Sequence, residues 1–202
     1  NNHFLIPYYQ RGYRWTDKEV TDLLNDINEF QNKRNKEEGE FYCLQPIVVI
    51  KRNGHWEVID GQQRLTTIFI LLTFLKDARE INFSSSDLYT IEYETREKEG
   101  ISSKEFLNNL NSIAEIDKTN SDFYHMSWAY LTIKKWFEYN KINKGKFLSV
   151  LLDTQKINDI DLENNIRFIW YEVTEEINNP IEIFTRLNMG KIPLTNAELV
   201  KA

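Results

Sequence analysis

Cysteine is almost missing from this chain. Cys43 is the single one in 202 residues, which rules out an internal disulfide framework and a cysteine-based zinc cluster and suits a reducing compartment. Histidine is scarce too: His3, His55 and His125 are scattered without the spacing of metal ligands. Basic charge is not in excess. The 25 Lys and Arg against 31 Asp and Glu leave a net charge of −6, so any nucleic acid must meet a local patch rather than a global positive field. No apolar run reaches the ~20 residues of a membrane span; the greasiest stretch, Ile68 to Leu75, is interrupted by Thr73 and reads as a core helix. No secretory signal is visible, and the cytoplasm is the expected compartment.

What is present suits one well-buried domain, with 41% hydrophobic and 28% charged residues. His3 to Trp15 reads as an extended or looped arm broken by Pro7 and Gly12. Thr16-Asp17-Lys18-Glu19 is a capping box, and Val20, Leu23, Leu24, Ile27 and Phe30 recur at helical spacing up to Gln31. Leu44 to Lys51 and His55 to Asp60 flank Asn53-Gly54, a strong hairpin signal. A helix is predicted from Gln62 to Ala78. After the loop at Ser84 to Ser86, Tyr89, Ile91 and Tyr93 alternate with polar residues as in a half-buried strand.

A helical middle section follows, over about 102–153. It is capped by Ser102 with Glu105, and its longest helix carries Phe123, Met126, Tyr130, Ile133, Trp136 and Phe137 inward. Ile166 to Val173 reads as a buried strand, and Trp56, Trp128, Trp136 and Trp170 read as core. Asn179-Pro180 opens another helix that ends near Gly190. The fold class is α+β with a small mixed sheet, one domain over residues 1–202. A last capping box, Thr195 to Glu198, opens a helix of barely two turns, so the parent protein is expected to continue.

The most informative stretch is Val58-Ile59-Asp60-Gly61-Gln62-Gln63-Arg64-Leu65-Thr66-Thr67. An apolar strand enters an Asp-Gly turn, then two amides and an arginine open an apolar helix. The first N–H groups of a helix have no intrahelical partner and point over the turn. Gly61 permits a sharp turn and close approach of a ligand to the backbone. Arg64 adds a planar fork of charged donors suited to phosphate oxygens. The pattern reads as an anion site, best matched by a nucleotide phosphate.

Asp60 fits either a helix cap or a Mg²⁺ ligand, since a carboxylate beside a phosphate calls for an intervening cation. Gln62 and Gln63 fit phosphate contact or water positioning, although solvated helix-start residues look the same. Thr66 and Thr67 ordinarily serve helix packing. The arm interleaves aromatic and basic groups at Tyr9, Gln10, Arg11, Tyr13, Arg14 and Trp15. That mixture suits base stacking with phosphate contact, while Tyr13 and Trp15 also suit packing. The arm could line the nucleotide pocket or face DNA.

Four ordered blocks carry a resemblance. The first is Ile6-Pro7-Tyr8-Tyr9-Gln10-Arg11 with Tyr13 and Trp15. The second is Asp60 to Arg64 with Leu65-Thr66-Thr67. The third is Tyr93-Glu94-Thr95-Arg96, leading toward Phe106-Leu107. The last runs Ile183-Phe184-Thr185-Arg186-Leu187-Asn188, then Gly190, Leu194 and Ala197-Glu198-Leu199-Val200-Lys201. In these the chain resembles the amino-terminal domain family of GmrSD-type, modification-dependent restriction systems.

The resemblance implies a ParB/sulfiredoxin-like core. It also implies nucleoside triphosphate binding and hydrolysis at the Asp-Gly-Gln-Gln-Arg block with Mg²⁺, and a carboxy-terminal HNH-type nuclease region acting on modified or phage DNA. On this reading Asp60, Gln63 and Arg64 are the catalytic candidates, with Asp60 at the metal. Gln10, Arg11, Gly61, Gln62, Thr66, Arg96, Arg186 and Asn188 are the nucleotide-binding candidates, and Lys191 is secondary. DNA would be met through Tyr9, Gln10, Arg11 and Arg14. The expected function is a nucleotide-binding, NTP-hydrolysing regulatory domain of a defence restriction system, with the base left open among ATP, GTP, CTP and UTP. The alternatives are a non-catalytic DNA-sensing module and a structural domain that positions a nuclease.

Overall fold

The Asn53-Gly54 hairpin organises the sheet. In the computed structural model Asn53 has φ 47° and Gly54 has φ 81°, two successive left-handed residues of the kind that match the right-handed twist of the flanking strands. They join β2 (Tyr42–Arg52) to β3 (His55–Asp60), antiparallel, with Arg52 opposite His55 and Val49 opposite Val58. The structure describes residues 2–76, 88–94, 100–153, 156–157, 160–161, 163–174 and 181. The expected loop at Ser84 to Ser86, the helix from Asn179-Pro180 and the last capping box lie outside the described residues. So do Arg96, Arg186, Asn188, Lys191 and Lys201.

The arm opens with a strand. β1 (His3–Ile6) lies between β3 and β4 (Thr90–Tyr93) and is parallel to both. With β7 (Ile166–Val173) beside β2, the sheet order is β4-β1-β3-β2-β7. A separate two-stranded ribbon pairs β5 (Lys156–Ile157) with β6 (Ile160–Asp161). The class is α+β with a mixed sheet, as expected.

Helices cover one face. Thr16 and Glu19 form the predicted capping box of α1 (Asp17–Asn32), whose Val20, Leu23, Leu24, Ile27 and Phe30 are buried. α2 (Gln62–Leu75) is buried all round except at Arg64, the signature of a central helix rather than a surface one. Its described run is Gln62–Leu75, with Lys76 as the C-cap, and the predicted end at Ala78 lies outside the described residues. α3 (Ser103–Asn108) takes its cap from Ser102, and α4 (Ser121–Asn140) takes its own from Asn120. α5 (Lys144–Leu152) follows, capped by Asn143. These helices join Phe4, Ile6, Val49 and Val58 of the sheet in one core. Each fully buried large apolar side chain there contributes about 2 kcal/mol. Strand residues alternate faces, and the opposite face of the sheet carries a smaller cluster of Val48, Ile50, Ile59 and Val173.

β7 departs from expectation. Its unbroken apolar run reads as a strand buried on both faces, yet among the described residues it lies outermost beside β2, and Ile169, Trp170 and Tyr171 are 50%, 44% and 60% exposed. Trp170 is therefore no core residue. It stands edge-on to Trp56 with ring centroids 5.0 Å apart, whereas Trp136 is buried as expected. Among the described residues no helix is long and apolar enough to cross a membrane.

Candidate functional site

The turn between β3 and α2 is built around Gly61. Its φ is +94°, and a Cβ there would sit 3.0 Å from the Pro46 carbonyl oxygen and 3.1 Å from the Ile47 Cα. Both the backbone conformation and the space demand glycine. Gly61 is also the N-cap of α2, and no side chain caps that helix. The cap role considered for Asp60 thus falls to Gly61, and Asp60 ends β3 one residue earlier. A helix start without a side-chain cap leaves its first N–H groups available to an anion.

The neighbouring amides reach back to the arm. Gln62 donates from Nε2 to the Arg11 carbonyl at 2.8 Å. Gln63 donates from Nε2 to the Gly12 carbonyl at 3.0 Å, and its Oε1 accepts the Arg14 N–H at 2.8 Å. Gln10, 4% exposed, donates to the carbonyls of Val58 and Ile59 in β3. Three glutamine side chains therefore tie the arm to the turn, much as backbone bonds tie adjacent strands. This is why they are buried in a segment that reads as polar. The Gln62 Oε1 is a buried acceptor without a protein partner, a position suited to water or a ligand donor.

Arg64 turns its fork toward β2. One terminal nitrogen donates to Gln45 Oε1 at 2.7 Å and the other to the Pro46 carbonyl at 3.0 Å, while Nε is buried without a partner. Burial lowers the Arg64 pKa, and the charge of Asp60 opposes that shift. A guanidinium has five N–H donors, and these two bonds orient the group against β2. The Gln45-Pro46 segment adjoins the irregular β2 register between Leu44 and Ile47. A proline inside an apparent strand is the sequence signal that could have marked it.

Other candidates serve packing. Thr66 is fully buried, its hydroxyl paired with the Tyr93 hydroxyl at 2.8 Å. Thr67 pairs with Tyr13, itself wholly buried. The Tyr9 hydroxyl donates to Glu57 at 2.9 Å, and burial raises the Tyr9 pKa, so it stays a neutral donor. Arg14 bonds the Tyr13 carbonyl and pairs with Asp122. Arg11 and Tyr8 remain exposed, and the Tyr8 N–H reaches Glu94 at 2.9 Å. The described parts of the first three sequence blocks thus converge on one end of the sheet. Gln45, Pro46 and Asp122 join them without any signal in the blocks themselves.

Among the described residues no group of three or more His, Cys, Asp or Glu could hold a metal ion. Among the described residues, the donors at the turn itself are one carboxylate, Asp60, and the Gln62 Oε1 that has no protein partner. Such a sparse set fits Mg²⁺ carried in on phosphates with its waters better than a resident ion.

No curated protein matches the chain. The family described as the GmrSD restriction endonuclease, N-terminal domain, matches residues 1–202. The chain thus belongs to the family of N-terminal domains of GmrSD restriction endonucleases.

Proposed function

We propose that this domain binds a nucleoside triphosphate at the β3–α2 turn and supports its hydrolysis. On this reading it acts as the regulatory part of a defence restriction system whose nuclease region acts on modified or phage DNA. The observation that carries this reading is the α2 start without a side-chain cap at Gly61, flanked by Arg64 and Asp60. Phosphate oxygens would accept from the first-turn N–H groups, and the remaining Arg64 N–H donors would meet charge that develops on the transferred group. Preorganised donors of this kind supply about 3 kcal/mol each. Gln45 and the Pro46 carbonyl hold the Arg64 plane. Mg²⁺, when bound with the nucleotide, would offset phosphate charge beside Asp60. Gln62 and Gln63 act here by fixing the arm that walls the turn.

The test is titration of the four nucleoside triphosphates with and without Mg²⁺, following binding and phosphate release. Arg64→Ala is expected to weaken binding at least 100-fold with the fold retained; unchanged binding rejects the site. A second reading, DNA contact through the arm, is favoured by the exposure of Tyr8 and Arg11. It predicts steeply salt-dependent DNA binding, reduced by Arg11→Ala.

A further inference from the structure

Asp122 is a buried carboxylate that belongs to none of the four sequence blocks. It is 1% exposed, in the first turn of α4. Its carboxylate pairs with Arg14, whose side chain is 35% exposed. The same carboxylate lies hard against Gly12: a Cβ on Gly12 would fall 2.0 Å from Asp122 Oδ1. Gly12 is thus glycine because the helical section presses a charged group against the arm. The backbone between these contacts is what Gln63 grips, through the Gly12 carbonyl and the Arg14 N–H. The arm is therefore clamped from both sides, by an amide of α2 and by a carboxylate of α4.

A buried carboxylate is costly, and losing its partner is more costly still. We infer that Asp122 is a positioning residue: through Arg14 and Gly12 it sets the arm, and with it the Gln62 and Gln63 side chains, over the phosphate turn. This rests on the nucleotide reading above for its ligand, but the geometric part stands apart from it. His125, one turn further along α4, faces the same pair. Its Nδ1 is buried without a partner, and burial followed by the Arg14 charge lowers its pKa.

The experiment compares Asp122→Asn, Arg14→Gln and the double variant in the 202-residue chain, with two readouts. The first is hydrogen exchange of the Arg14 backbone amide against the amides of α1. In Asp122→Asn it should quicken at least tenfold while the α1 amides are unchanged. The second is affinity for Mg²⁺ with each nucleoside triphosphate. Each single variant should lose about tenfold, and the double variant no more than either, because both cuts sever one connection. Unchanged Arg14 exchange in folded Asp122→Asn overturns the proposal, as does fully additive loss of affinity. If Asp122→Asn fails to fold, Arg14→Gln alone decides it by the same exchange criterion. If the unaltered protein binds no triphosphate, the nucleotide reading fails, and the exchange result still decides whether Asp122 sets the arm.

Discussion

Two sides of the Gly61 turn use polar side chains in opposite ways. On the arm side, Gln10, Gln62 and Gln63 are nearly buried and bond backbone groups of other segments. On the β2 side, Arg64 keeps donors beyond the two that Gln45 and Pro46 fix, and the helix start carries no side-chain cap. The amides spend most of their bonding capacity on architecture, whereas two bonds orient the guanidinium and the helix start has no side-chain cap. Adjacent residues of one motif thus divide into a clamp and a proposed cradle. Substitutions on the two sides should separate stability from binding.

The sharpest break is Gln63→Leu. It leaves the Gly12 carbonyl and the Arg14 N–H without their partner, and each stranded group costs about 1–3 kcal/mol. Denaturant unfolding should show a loss of roughly 2–4 kcal/mol, and a variant as stable as the parent would dissolve the distinction. Gly61→Ala comes next. It forces a Cβ against the β2 backbone at a positive φ, and should cost about 1–3 kcal/mol while also distorting the cradle. Arg64→Ala should fall at the other end, with a stability change of about 1 kcal/mol against its large loss of binding. The smallest effect concerns pH. The lowered folded pKa of His125 favours its neutral form, so this stability term is fully present above 6.5, the ordinary value, and is lost as pH falls through the folded pKa. Thermal unfolding at pH 7.5 and 5.5 should show a smaller drop in His125→Gln than in the parent.

Much of the fold was legible locally. The capping box at Thr16, the Asn53-Gly54 hairpin and the inward residues of α4 follow from short-range rules, and the structure places them as expected. β1 was hidden because four residues of strand inside an aromatic arm carry no distinctive period. β7 misled for a different reason: an apolar run states that a strand prefers burial, but not which elements the fold sets against it. In the site, Gly61 was readable as a sharp turn, since its conformation is local. The direction of Gln62 and Gln63 was not readable, because a glutamine at a helix start looks the same whether it meets solvent, ligand or another segment's backbone. The destination of the Arg64 fork depended on the irregular stretch of β2 at Pro46, and Asp122 on a contact spanning over a hundred residues.

The sequence by itself determined where helices begin, where the chain reverses and which family the motif resembles, because capping, turn geometry and periodicity act over a few residues. Only the tertiary structure decided which polar groups are spent on holding the arm and which keep bonding capacity beyond their protein partners. That division depends on which carbonyls and N–H groups come within about 3 Å of each side chain, and such neighbours are set by packing between segments far apart in the chain.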